Sequence, residues 1–160
     1  MKIYILGQSG SGKTFFAKEL AHTYKIDHTE MDDVYKSAKY DLDTFYLKLN
    51  KFVDQNDSWV IDGKYKKIRE RLIIEADEVF YLDLPFTRSI YENLKREYYN
   101  NKAVSKKFLT HLRKVVKEFY PTKRKIYQEL KLANGKVTVF KDRNSVNSYL
   151  KNLQKKMLQD

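Results

Sequence analysis

Along the chain, short continuous apolar runs alternate with longer stretches in which apolar residues recur every three or four positions. The first pattern is that of strands buried on both faces of a parallel sheet; the second is that of amphipathic helices. Ile3-Tyr4-Ile5-Leu6 opens the series as a strand, and a helix from about Lys13 to Tyr24 follows with Phe16, Ala17 and Leu20 along one face. A short strand around Ile26 to Glu30 closes on Met31-Asp32-Asp33, ahead of a helical stretch carrying Leu42, Phe45, Leu49, Phe52 and Val53. Trp59-Val60-Ile61 predicts the next strand, ending at Asp62-Gly63. A helix around Tyr65 to Ile74, a strand Glu78 to Leu82, and a helix after Pro85 with Ile90, Leu94 and Tyr98 come next. From Val104 to Lys131 the pattern is helical, interrupted at Tyr120-Pro121-Thr122, so that Pro85 and Pro121 both fall at element boundaries. Asn134-Gly135 stops that helix before a last strand, Lys136 to Phe140, and the closing helix bears Val146, Leu150, Leu153 and Met157. Strands alternating with helices predict an α/β fold, a three-layer α/β/α arrangement around a five-stranded parallel sheet. Ligands of such sheets bind beyond the carboxyl ends of the strands, which would bring Gly7, Asp32, Asp62, Asp83 and Lys141 to one edge.

A length of 160 residues without repeat or linker fits one domain spanning 1–160. Cysteine is absent, which removes disulfides, thiolate metal sites and Cys nucleophiles. The first apolar run is too short for a signal peptide and no membrane span is visible, so a cytoplasmic location is expected. With 32 Lys and Arg against 21 Asp and Glu the formal charge is +11, which attracts polyanions without naming one.

Gly7-Gln8-Ser9-Gly10-Ser11-Gly12-Lys13-Thr14 fits G-x-x-x-x-G-K-[ST] between a predicted strand and a predicted helix, the setting this phosphate-binding loop requires. Its glycines allow consecutive N–H groups to turn inward as an anion nest at a helix N-terminus. In this motif Lys13 bridges β- and γ-phosphates and Thr14 offers its hydroxyl to Mg²⁺, so ATP with Mg²⁺ is the expected ligand pair. Asp62, closing an apolar strand, is where an acid orienting Mg²⁺ would stand, although Asp-Gly is also a common turn. Asp32 and Asp33 follow the second strand at the acceptor edge, as a general base, a Mg²⁺ contact or the N-cap of the next helix. Asp83 reads as a strand end.

Between Lys95 and Lys125 stand Arg96, Lys102, Lys106, Lys107, Arg113, Lys114, Lys117, Lys123 and Arg124 against only Glu97 and Glu118. A solvated helix face explains such a run. Two sharper readings compete with it: a basic lid of about 96–133 between core segments 1–95 and 134–160, or a nucleic-acid surface with Tyr98, Tyr99, Phe119 and Tyr120 among the cations. In the lid reading Arg88, Arg96 and Arg124 neutralise charge on the transferred phosphoryl group. His22, His28 and His111 lack metal-ligand spacing and are assigned surface or helix-end roles.

The phosphate loop, the phrase Asp54-Gln55-Asn56-Asp57-Ser58-Trp59-Val60-Ile61-Asp62-Gly63-Lys64-Tyr65 and the phrase Ala76-Asp77-Glu78-Val79-Phe80-Tyr81-Leu82-Asp83 together resemble a bacterial family. It is that of the adenylate-kinase-related DNA topology modulation proteins, FlaR-like, and the likeness extends to Lys123-Arg124-Lys125 with Tyr127 and to Lys136 through Arg143. The resemblance implies a nucleoside-monophosphate-kinase-like fold, ATP held by Gly7, Ser9, Gly10, Ser11, Gly12, Lys13, Thr14 and Arg143, and a lid after the fourth strand. It also implies an acceptor site near Asp32, Lys36, Asp62 and Gly63. Lys64 stands where such relatives commonly carry Asn, and Glu92 where a lid arginine is expected, so Arg88 and Arg96 take that role or the acceptor differs from AMP. The expected activity is transfer of the γ-phosphoryl of ATP to a nucleotide, nucleoside or other small acceptor. The alternative is a nucleic-acid-associated regulator that uses ATP as a switch.

Overall fold

In the computed structural model, which describes residues 1–101 and 105–159, the chain runs β1 Lys2–Gly7, α1 Lys13–Tyr24, β2 His28–Glu30, α2 Met31–Ser37, α3 Leu42–Gln55, β3 Trp59–Asp62, α4 Lys66–Glu75 and β4 Glu78–Leu82. It continues through α5 Phe86–Asn101, α6 Lys106–Glu129, a 3-10 turn Leu130–Leu132, β5 Lys136–Phe140 and α7 Arg143–Met157. Lys102 and Val104 lie outside the described residues, as do the side chains of Lys107 and His111. The five strands pair in parallel in the order β2-β3-β1-β4-β5, so the phosphate loop leaves the central strand, flanked by β3 and β4.

Side-chain alternation along β1 divides the core in two. Tyr4 and Leu6 face α2, α3, α4 and the C-terminal part of α6, among Phe45, Trp59, Leu72 and Ile126. Ile3 and Ile5 face α1 and α7, among Phe16, Leu20, Phe80 and Val146. Phe16 meets Phe80 and Phe140 edge-on at 5.2 and 5.6 Å, a fully buried ring whose removal would cost about 3–5 kcal/mol.

Two elements differ from the sequence pattern. A separate helix, α2, begins directly at Met31, so Asp32 and Asp33 lie in its first turn rather than in a loop. Tyr120-Pro121-Thr122 does not break α6: Pro121 sits inside the helix, not at a boundary. A proline there forfeits the N–H bond to the Lys117 carbonyl, at about 3 kcal/mol. The helix runs on because packing pins both flanks: Phe119 is buried against Phe86, with ring centroids 4.7 Å apart, and Ile126 is buried in the core.

The C-terminal part of α6 is also held by charge. Arg69 of α4 and Glu129 form a buried bidentate pair, with Nη2 to Oε1 at 2.9 Å and Nε against Oε2. Asp83, buried after β4, gathers Lys123 at 2.9 Å, Lys141 at 2.8 Å and the Tyr127 hydroxyl at 2.7 Å. Its burial pushes the carboxyl pKa up, and the bonds from Lys141, Tyr127 and Lys123 outweigh that and hold it below the usual Asp range.

Candidate active site

The loop between β1 and α1 turns on Gly10 and Gly12, at φ 76° and 84°. Gly12 caps α1 at a φ that L side chains rarely adopt, and a Cβ there would lie 2.6 Å from Arg143 Nη1, which would have to move aside. The Ser11 N–H donates to the Gln8 carbonyl at 3.1 Å, and Lys13 Nζ donates to the same oxygen at 3.1 Å. Ser11 Oγ and Gln8 Nε2 are buried and have no hydrogen-bond partner among the described residues. Polar atoms buried unpaired at the start of a helix, beside a lysine, fit an anion such as a phosphate chain. Loss of solvent lowers the Lys13 pKa to about 8, against an opposing pull from Asp62.

Thr14 Oγ1 donates to Asp62 Oδ2 at 2.9 Å, which joins the loop to the end of β3. The other carboxylate oxygen of Asp62 lies 2.7 Å from His28 Nε2, and Asp62 is only 1% exposed. His28 is therefore no surface histidine. The parallel register sets Glu30 of β2 beside Asp62, and His28 follows on the same face two residues earlier. Two ionisable residues at i and i+2 of a predicted strand were the signal for this. His22 does lie exposed in the last turn of α1. Mg²⁺ needs only one or two protein ligands beside phosphate and water, and a Thr hydroxyl with one carboxylate fits it. Among the described residues no group of three His, Asp or Glu could hold a metal unaided.

At the acceptor edge the N-cap of α2 is Glu30, which makes no side-chain cap bond, so neither Asp32 nor Asp33 is a cap. Both aspartates are exposed: Asp32 Oδ1 accepts from the Tyr65 hydroxyl at 3.1 Å, and Asp33 is paired with Lys36 at 2.8 Å. Burial, then the charges of Asp62, Asp33 and Asp32, push the Glu30 carboxyl up. Gly63 leaves no room for a Cβ, which would sit 2.5 Å from Met31 Sδ.

α5 grips the loop from the other side. The Ser9 carbonyl accepts from Ser89 Oγ at 2.5 Å and from Asn93 Nδ2 at 3.1 Å, and Ser9 Oγ donates to Asn93 Oδ1 at 2.8 Å. Arg96 Nη2 donates to the same Asn93 oxygen at 2.9 Å, so a buried asparagine sets the place of the arginine. Nothing in the spacing of Ser89 and Asn93 announced this contact. Arg88 is tied to Glu92 at 3.1 Å.

These elements enclose one cleft of about 710 Å³, lined by Ser9, Gly10, Gly12, Lys13 and Thr14 on one side, Asp32, Asp62, Gly63, Lys64 and Tyr65 on the other, with Glu92, Arg96 and Val115 above. Arg143 stacks on Phe15 at its rim, 5.4 Å from ring centroid to guanidinium carbon. Lys36 and Arg88 do not line the cleft. Arg124 faces a separate groove on α6 with Tyr120, Lys123 and Lys131. Lys123 and Lys125 are spent on Asp83 and Glu129.

No protein-family model matches the chain, and no curated protein matches it in sequence. Solved structures do. Shikimate kinase from Acinetobacter baumannii in complex with shikimate is similar at a TM-score of 0.62 and 15% identity, over 99% of this chain and 93% of that one. Deoxyadenosine kinase from M. mycoides with bound dATP is similar at 0.55 and 17%, over 98% and 99%, and with products dCMP and dCDP at 0.54 and 16%, over the whole of both chains. The fold is that of P-loop small-molecule kinases. In this chain the phosphate loop, the ends of β2 and β3 and the helix after β4 surround the cleft. The FlaR-like resemblance rests on the sequence phrases alone. Among the described residues no helix is long and apolar enough to cross a membrane.

Proposed function

We propose that the chain is a phosphotransferase that moves the γ-phosphoryl group of ATP to a small acceptor. The observation that carries this reading is the single cleft in which Lys13 and Thr14 of the phosphate loop face Asp62, Asp32 and Arg96. Loop N–H groups and Lys13 hold the phosphates, and Arg143 with Phe15 flanks the nucleotide end. Mg²⁺ would supply charge neutralisation to the phosphates. Thr14 and Asp62 would hold it, and His28 orients Asp62. The bond from γ-phosphorus to the bridging oxygen breaks as the bond to the acceptor oxygen forms, and the electron pair stays with ADP. An alcohol acceptor passes its proton to Asp32, which the Tyr65 hydroxyl aims; an ionised phosphate acceptor has none to give.

Gly63 and Asp62 floor the acceptor end, and Lys36 stands outside it beside Asp33. Arg96, on the cleft wall, is the lid cation that meets the transferred group; Arg88, paired with Glu92, and Arg124, on the part of α6 packed into the core, stand off the cleft. The test is ADP release from Mg·ATP across nucleosides, nucleotides and small metabolites. At least one acceptor should be phosphorylated, and Lys13→Ala should cut that turnover by about 10³-fold. ATP binding without turnover on any acceptor would instead mark a nucleotide-binding scaffold.

A further inference from the structure

Lys64 and the phosphate-loop Lys13 are set apart from the other lysines around the sheet edge. Lys36, Lys123, Lys125 and Lys141 each have a carboxylate oxygen within 4 Å. Lys64 has none among the described residues; its Nζ reaches only Gln8 Oε1, at 3.4 Å, the long limit of a hydrogen bond. Its base is fixed nonetheless. The Gly63 carbonyl accepts from the buried Tyr4 hydroxyl at 3.1 Å, and the Lys64 carbonyl accepts from Arg69 Nη1 at 3.4 Å. Arg69 itself is neutralised by Glu129, so it offers no charge to a ligand.

The ammonium group thus stands in the cleft wall between the phosphate loop and the Asp32–Tyr65 pair. Beside it Gln8, 4% exposed, holds a buried Nε2 with no partner among the described residues. Gln8 accepts Lys13 on its backbone oxygen and Lys64 on its side-chain oxygen, so one residue separates the lysine of the loop from the lysine of the acceptor wall. A cation with no carboxylate within 4 Å among the described residues, drawn on by Glu118 and Asp32 only from farther off, is stabilised together with the neighbouring buried N–H when an anion takes both.

We propose that Lys64, with Gln8, seats an anionic group of the phosphoryl acceptor, so that the acceptor is a phosphate monoester or a carboxylate and not a neutral nucleoside or alcohol. This rests on the phosphotransferase reading and narrows its acceptor. Lys13 serves the donor phosphates, Lys64 the acceptor's charge, and Arg96 the group in transit.

The test holds the full-length protein saturated with Mg·AMP-PNP and titrates inorganic phosphate or acetate, in wild type, Lys64→Gln and Lys64→Arg. One anion should bind the saturated protein, with affinity lowered roughly tenfold or more in Lys64→Gln and largely kept in Lys64→Arg, while AMP-PNP affinity stays within about threefold. A response to phosphate points to a phosphate monoester, and a response to acetate alone points to a carboxylate; either supports the assignment. The assignment is overturned if neither anion binds, or if Lys64→Gln leaves anion binding unchanged. It is also overturned if Lys64→Gln weakens AMP-PNP itself by about tenfold, because Lys64 then belongs to the donor. Failure of wild type to bind Mg·AMP-PNP would instead remove the phosphotransferase reading, and is read before any anion is added.

Discussion

The two halves of the cleft are built by different means. On the proposed reading the donor half is mainly backbone: the loop of consecutive residues Gly7 to Thr14, which α5 clamps through the Ser9 carbonyl. The acceptor half is side chains brought from β2 and α2, the β3–α4 turn and α6, seated on an aromatic layer in which Tyr65 meets Phe45 at 4.5 Å and Tyr35 at 5.6 Å. A backbone cradle tolerates sequence change outside its glycines, whereas a side-chain cradle changes with every substitution. On the proposed reading, donor binding is set by the fold and acceptor choice is free to vary on it.

Asp62 is where the halves meet, and its replacement should have the largest effect on that division. Asp62→Asn keeps the shape but weakens the metal position and the bond to His28; turnover should fall by about 10²–10³-fold, with His28→Ala nearer tenfold. Initial rates against Mg²⁺ concentration measure this, and equal losses in the two variants would mean that His28 is itself part of the metal site. Asn93→Ala tests whether the donor half depends on α5. It frees the Ser9 hydroxyl and Arg96 together, and should lower kcat about tenfold with a smaller change in the KM for ATP. Asn93→Asp should recover the Arg96 contact but not the donation to Ser9, and no kinetic change in either would show the loop to be rigid alone.

The smallest effect concerns the attachment of α6. Because the bonds to Asp83 hold its pKa below the unfolded value, its stabilisation is complete above the ordinary Asp range of about 3.9 and is lost as pH falls below it. Asp83→Asn should lower Tm by several degrees at pH 7, and the gap to wild type should narrow below about pH 4. Thermal melts from pH 3 to 7 check this; a gap independent of pH would assign the loss to packing.

The same contrast explains what the sequence disclosed. Strands β1, β3, β4 and β5 and the phosphate loop were legible because each is local: a continuous apolar run, a glycine spacing, an Asp-Gly turn. Asp32, Asp62 and Gly63 at the strand ends were legible for the same reason, but the contacts that fix the cleft's side chains were not: His28 meets Asp62 across 34 positions, and Asn93 meets Ser9 across 84, contacts that no spacing encodes. α2 escaped because Met31-Asp32-Asp33 resembles a strand-end turn, and the continuation of α6 through Pro121 depends on burial of Phe119 and Ile126, which only the packed fold supplies.

The buried Arg69–Glu129 pair also constrains how this chain can evolve. Replacing either residue alone strands a charge in the core at about 3–5 kcal/mol, while replacing both with apolar residues of similar size can be neutral. Single-step paths away from the pair cross a valley of unstable intermediates. The two positions are inherited as one unit, so lineages of this protein should hold both charges or neither.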